Sequence, residues 1–197
     1  MSFKFGFLDI SEIGDEVLKN HYPLMSDTRK SETLALASDL KKRQKIAADL
    51  LCRKMISESC AIKAESIVFG KTENGKPYAE NCDIRFSLSH CGSLVVCAVS
   101  EKEIGVDIEK IRDIRLKAAE KFACKPELEY IGNNTKRFFE IWTLKEAFFK
   151  CKGTGLGSDI KAVSFEIVND EITCSEKGYK LFFNNIDGCV CSVCIKH

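Results

Sequence analysis

Asp107 and Glu109 stand two residues apart in the run Ile104-Gly105-Val106-Asp107-Ile108-Glu109-Lys110, and Glu146 and Lys150 stand four apart in Trp142-Thr143-Leu144-Lys145-Glu146-Ala147-Phe148-Phe149-Lys150. Alternate residues of a strand share a face, so the first run shows both acids on one side while Val106 and Ile108 point into a core. Their Cα atoms would lie about 6–7 Å apart, near enough for two carboxylates to converge on one cation. On a helix, Trp142, Glu146 and Lys150 form one ridge beside an apolar arc of Ile141, Leu144 and Phe148. Three carboxylates and a lysine on two regular elements are what a magnesium-assisted phosphoryl transfer needs: hard oxygen donors for the metal and a cation for phosphate. Each piece also has a plainer reading. Asp-x-Glu alone describes an edge strand showing acids to water, and Glu146 with Lys150 alone describes a surface ion pair worth about 0.3–0.5 kcal/mol.

Other groups suited to phosphate lie upstream. His90, in Ser87-Leu88-Ser89-His90-Cys91-Gly92, is expected in a loop between strands, where small residues let backbone N–H groups approach an anion. Lys76 and Pro77 end the turn Glu73-Asn74-Gly75-Lys76-Pro77, whose Asn-Gly pair favours positive φ. Lys41, Lys42, Arg43 and Lys45 form a basic cluster that also reads as a solvated helix face.

These residues need elements to hold them. Phe3 to Ile10 reads as a strand with Phe3, Phe5 and Phe7 on one face. From about Ser38 to Ile56, apolar residues recur at helical intervals. Short strands follow at Ile67–Phe69, Ile84–Leu88 and Leu94–Ser100, then the acidic strand Ile104–Ile108. A helical stretch at Leu116–Ala123, a long helix from about Lys136 to Lys150 and a Gly-rich exit at 153–157 come next. Strands near Ala162–Val168, Lys180–Phe183 and Cys189–Ile195 close the chain. Each half reads as strand, helix, then strands, and Phe7-Leu8-Asp9-Ile10-Ser11-Glu12 echoes Val106-Asp107-Ile108-Glu109. The pattern is that of a duplicated α+β arrangement.

With 45% hydrophobic and 30% charged residues, the chain suits a soluble protein with one sizeable core or two small ones. Thirty basic against 29 acidic residues leave a net charge of +1, so no global field favours nucleic acid or an anionic membrane. Met1 to Ile10 lacks the basic start and apolar run of a signal peptide, and no stretch approaches a membrane span. Eleven cysteines, an odd number and often in apolar settings, read as reduced thiols. Together these features predict a cytoplasmic protein. Cys189, Cys191 and Cys194 are better explained by a buried strand than by zinc, since no fourth ligand follows at knuckle spacing.

Gly105-Val106-Asp107-Ile108-Glu109-Lys110, followed by Trp142-Thr143-Leu144-Lys145-Glu146-Ala147 and Lys150, resembles the paired motif of the Sfp-type 4′-phosphopantetheinyl transferases. Gly75-Lys76-Pro77 and Phe86-Ser87-Leu88-Ser89-His90-Cys91-Gly92 are similar to that family's two upstream motifs, in the same order. The likeness covers about residues 1–165. It implies an α+β fold of two similar α/β subdomains packed as a pseudo-dimer, 1–100 for coenzyme A nucleotide and phosphate contacts and 101–197 for the metal and carrier docking, with coenzyme A between them. By the same resemblance, Asp107, Glu109 and Glu146 would hold Mg²⁺. Glu146 and Lys150 would be catalytic, and Arg29, Arg43, Lys76, Pro77, Ser89, His90 and Lys150 would bind the cosubstrate. Glu127 matches a further acid of the family. Gln44 stands where the family places an arginine, flanked by Arg43 and Lys45, and Glu32 where a cation is expected.

The implied enzyme moves phosphopantetheine from coenzyme A to a serine of an apo acyl or peptidyl carrier protein, releasing adenosine 3′,5′-bisphosphate. Its carrier would be acidic and would meet Arg112, Arg115, Lys117 and Lys121 beside Leu116 and Phe122. The resemblance implies a monomer, without nucleic-acid or membrane partners. The competing reading is a catalytically silent coenzyme A or carrier-binding module on the same fold.

Overall fold

The structure, a computed structural model, describes residues 3–169 and 171–197, with all their side chains except those of Ser158 and Asp159. Met1 and Ser2, the start of the stretch read for a leader, lie outside it. The chain is α+β and forms two compact units, Met1–Glu101 and Lys102–His197.

The first unit begins with β1 (Lys4–Asp9), α1 (Asp15–His21) and α2 (Asp27–Leu34), then the long α3 (Asp39–Cys60). Ser38 caps α3 by accepting from the Lys41 amide, and Ala61, at φ 53°, turns the chain off its end. Ala47, Ala48, Leu51, Cys52, Met55 and Ile56 recur three and four residues apart, about one turn, and are buried, because one face of the helix lies on a sheet. A small hairpin follows, β2 (Phe69–Lys71) with β3 (Pro77–Ala79), then β4 (Arg85–Cys91) and β5 (Leu94–Ser100). The sheet runs β1-β5-β4, all antiparallel. Val95, Cys97 and Val99 of its central strand meet α3.

The second unit repeats this plan. It has β6 (Ile104–Lys110), α4 (Lys125–Ile131), α5 (Thr135–Lys152), a small hairpin of β7 (Phe165–Val168) and β8 (Glu171–Cys174), then β9 (Tyr179–Ile186) and β10 (Cys189–Lys196). Its antiparallel sheet runs β6-β10-β9. In each unit the first strand pairs with the last, which is also the second arm of a hairpin, and a long helix lies between them in sequence. Asn134 caps α5 at the Arg137 amide, and Gly153, at φ 75°, closes it. Phe138, Phe139, Ile141, Leu144, Phe148 and Cys151 bury its inner face.

Several expectations shift. Ser89, His90 and Cys91, expected in a loop, are strand residues; β4 continues through them, His90 opposite Val95, and turns only at Gly92. The stretch at Leu116–Lys121 is a 3-10 rather than an α-helix. The Phe5 and Phe7 face of β1 is largely exposed, while Leu8 and the Cα of Gly6 face the core. Cys189, Cys191 and Cys194 are buried on β10. Among the described residues, no helix is long and apolar enough to cross a membrane.

Candidate functional site

The acidic strand and the ridge helix meet at a glycine. A Cβ added at Gly105 would overlap the Ala147 carbonyl oxygen and the Cys151 amide nitrogen, so α5 lies against β6 backbone to backbone. A glycine inside a strand is the sequence sign of such an approach. Thr143 adds a second tie, its hydroxyl 2.7 Å from that of Ser192, the cross-strand neighbour of Asp107 on β10. Sequence reasoning passed over both.

This contact brings Lys150 to Asp107. Its Nζ donates to Asp107 Oδ1 at 2.7 Å and to the Val106 carbonyl at 3.2 Å, with Asp107 itself only 5% exposed. Glu109, near the strand's open end, accepts from Arg112 Nη1 at 3.1 Å. Glu146, half-buried, has its carboxyl pushed up to about 7: burial is the largest cause, the charge of Asp107 the next, Lys150 opposes, and Glu109 adds. Three carboxylates with two cations against them, Lys150 on Asp107 and Arg112 on Glu109, leave the cluster short of positive charge. Oxygen donors in that condition fit a hard divalent cation. As the side chains stand, no group of three His, Cys, Asp or Glu among the described residues forms a ready metal cage.

Glu127, the further acid that the family resemblance matched, lies on α4. It is 0% exposed and pairs at 2.9 Å with Lys145, equally buried, while accepting from the Phe165 and Cys124 amides. Lys145 Nζ donates on to the carbonyls of Ile160 and Val163. This pair joins α4, α5 and the segment leading to β7.

In the first unit, Ser89 is half-buried and His90 exposed near the end of β4, and Lys76 with Pro77 lies where the β2–β3 hairpin turns. Arg29 and Arg43 are each engaged by an aspartate. Arg29 Nε lies 2.8 Å from Asp49, a carboxylate with no exposure that also meets Arg53 Nε at 2.7 Å and His21 Nε2 at 2.9 Å. Burial would raise the Asp49 carboxyl, but the His21 hydrogen bond and the two arginine charges outweigh it and hold it below its ordinary range. Arg43 is engaged with Asp15 and the carbonyls of Ile10 and Ile13, tying α3 to the β1–α1 segment. Gln44, 5% exposed, donates to the Gly92 carbonyl at 2.7 Å and so fixes the β4–β5 turn. Glu32 bridges Lys45 at 2.5 Å and Lys71 at 2.6 Å, and those hydrogen bonds bring its carboxyl down to about 2.

A duplicated α+β plan with acids on a strand and an acid–lysine helix beside them defines a class. The profile of the 4′-phosphopantetheinyl transferase superfamily matches residues 103–191, and that of the 4′-phosphopantetheinyl transferase N-terminal region matches residues 25–102. The chain belongs to the 4′-phosphopantetheinyl transferase superfamily. It is 38% identical over 116 residues to the 4′-phosphopantetheinyl transferase gsp of Aneurinibacillus migulanus, covering 56% of this chain and 48% of that one. It is 33% identical over 131 residues to the 4′-phosphopantetheinyl transferase Sfp of Bacillus subtilis, covering 64% and 58%. The chain thus spans about half the length of these relatives.

Proposed function

We propose that the chain transfers the 4′-phosphopantetheine group of coenzyme A to a serine hydroxyl of an acidic apo acyl or peptidyl carrier protein, with adenosine 3′,5′-bisphosphate leaving. The observation that carries this reading is the cluster of Asp107, Glu146 and Lys150 across β6 and α5, with Glu146 raised to about 7. Asp107, Glu109 and Glu146 would hold Mg²⁺, which when bound offsets charge on the pyrophosphate.

The serine oxygen forms its bond to the β-phosphorus as the bond from that phosphorus to the bridging oxygen breaks, and the nucleotide leaves with the electron pair. Glu146, half-buried on α5, takes the serine proton on a carboxylate oxygen. Lys150 Nζ, now shared between Asp107 and the Val106 carbonyl, neutralises phosphate charge. Lys76, Pro77, Ser89 and His90 are assigned to the phosphate and nucleotide end. Arg29 has the same assignment, steadied by Asp49. Arg43 would have to exchange Asp15 for phosphate to join them. Arg112, Arg115, Lys117 and Lys121 would meet the carrier, the first already facing Glu109 and the Phe139 ring. The setting we propose is cytoplasmic, and the working form a monomer.

The test is direct. Incubated with an apo carrier protein, coenzyme A and Mg²⁺, the chain is expected to add one phosphopantetheine mass to the carrier. Asp107→Ala and Glu146→Ala should each slow that gain about 100-fold or more. Carrier binding without any mass gain would point to the silent binding module. Near-full rates in both variants would remove the site assignment even if the activity stands.

A further inference from the structure

Two of the acids at the β6–α5 contact are each held by a cation of the chain's own, and the two pairs are built differently. Lys150 sits on Asp107, its side chain 32% exposed against 7% for the acid, and its Nζ donates to the Val106 carbonyl as well. Arg112 sits on Glu109 at 3.1 Å, its side chain 54% exposed and the acid 29%. The first pair has a buried acid and a main-chain anchor, while the second is wet on both sides. An ion pair open to water is weak, so the Arg112 pair is the one that can exchange partners.

Arg112 lies past the end of β6, in the irregular stretch 111–115 before the 3-10 turn at Leu116–Lys121. Its Nη1 donates both to Glu109 and to the Lys110 carbonyl, at 3.1 and 3.2 Å. The centre of its guanidinium lies 5.0 Å from the centroid of the Phe139 ring, a buried residue of α5. An aromatic face holds a guanidinium without using up its hydrogen-bond donors. Arg112 therefore has one weak anionic partner, which is one of the acids assigned to the metal, and a support that survives the loss of that partner. Arg115, three residues on, is exposed and carries the same charge.

We propose that Arg112 couples cation binding to carrier docking: it covers Glu109 while that carboxylate lacks a cation, and turns to the acidic carrier once Glu109 ligates one. The inference rests on the function proposed above, for it takes Glu109 as a cation ligand and the carrier as acidic. Glu109 bound to a dication offers Arg112 no net negative charge, and at contact range the guanidinium is repelled. Released, Arg112 adds a planar donor suited to carboxylates to the basic residues Arg115, Lys117 and Lys121. The linkage is reciprocal: the factor by which the cation tightens the carrier is the factor by which the carrier tightens the cation. Lys150 is unsuited to this exchange, because its acid is buried and its second hydrogen bond is to main chain. The docking surface is thus complete only on the cation-loaded chain.

The experiment reads binding without turnover. Mn²⁺, which accepts the same oxygen ligands as Mg²⁺, is titrated into the full chain and followed by electron paramagnetic resonance. A fluorescent apo acyl carrier protein with its acceptor serine changed to alanine reports docking by anisotropy, with and without Mn²⁺. On the native chain, Mn²⁺ should tighten carrier binding about 2–5-fold. Arg112→Gln should bind Mn²⁺ about 2–5-fold more tightly, since nothing competes for Glu109, and should lose most of the cation's effect on the carrier. Arg115→Gln removes the same charge nearby; it should weaken the carrier by one factor in both conditions and leave Mn²⁺ affinity as it was. The coupling alone is overturned if Arg112→Gln keeps native Mn²⁺ affinity, or if Arg115→Gln changes that affinity as much. A native chain that binds no Mn²⁺ removes the metal assignment, and the coupling with it.

Discussion

In the first unit, Gly6 of β1 faces α3 through a side chain: a Cβ there would come within 2.8 Å of the Met55 sulfur, the flexible part of a thioether. In the second, Gly105 of β6 faces α5 with nothing between them but main chain. The two units differ in the same sense at their buried charges. Asp49 is surrounded by two arginines and a histidine, so it can lose one partner and keep two. Glu127 has Lys145 as its one ionic partner among the described residues, and both are fully enclosed. One topology has thus been built twice, once with adjustable contacts and once with contacts that admit no substitute. The acid–lysine cluster lies in the less adjustable copy, where small changes of helix position would separate Glu146 and Lys150 from the strand acids.

The largest test of this contrast is Lys145→Met. It leaves the Glu127 carboxylate buried without a counter-charge and should cost about 3–5 kcal/mol in chemical denaturation, most of it recovered by adding Glu127→Leu. Arg29→Met, which leaves Asp49 with Arg53 and His21, should cost no more than about 2 kcal/mol. Equal losses in the two variants would dissolve the comparison.

Next in size are the glycines. Gly105→Ala should destabilise by about 3 kcal/mol, because backbone cannot yield as a side chain can, and should abolish transfer to a carrier. Gly6→Ala, relieved by a Met55 rotamer, should stay under about 1.5 kcal/mol. A Gly105→Ala chain with native midpoint and rate would show that α5 is not seated by that contact.

The smallest effect is a pair of opposite pH responses in metal-free buffer. The Glu146 carboxyl is raised in the folded chain to about 7 from an ordinary 4.5, so its contribution to stability is complete below that ordinary value and is lost as pH rises through about 7. Asp49 is lowered, so its contribution is present above its ordinary 3.8 and is lost as pH falls below it. Glu146→Gln should flatten the decline in Tm, a few degrees for a chain of this size, between about pH 5 and 8 and leave the acid limb unchanged. A native chain with a level Tm across that range would contradict the assignment.

What could be read beforehand follows from how local each signal is. The two long helices announce themselves through apolar periodicity, and the second also through the Gly-rich exit at 153–157, so their positions are legible to within about a turn. Asp107, Glu109, Glu146 and Lys150 stand out because their spacing matches the strand and helix periods. By contrast, α2 has Leu34 as its one large apolar residue, 68% exposed, and is held by Arg29 on Asp49 and Glu32 on two lysines, none of which has a local signature. His90 reads as a loop residue because Ser89 and Gly92 flank a small polar run, yet pairing with Val95 and Val96 carries the strand through it. The Glu127–Lys145 pair joins residues eighteen apart in sequence, and only folding shows that two charges have left water together.

The seat of α5 on Gly105 also has a mechanical side. Ala147 marks a fulcrum, and Glu146 lies one residue, about 1.5 Å, along the axis from it, while Thr135 at the start of the helix lies about 18 Å away. A rocking of about 5° about that point would carry the helix axis at Thr135 through roughly 1.6 Å but the axis at Glu146 through only about 0.1 Å, and a side-chain end about 6 Å off the axis there through about 0.5 Å. The proposed proton acceptor sits where the lever moves least, and the far end of the helix absorbs the travel.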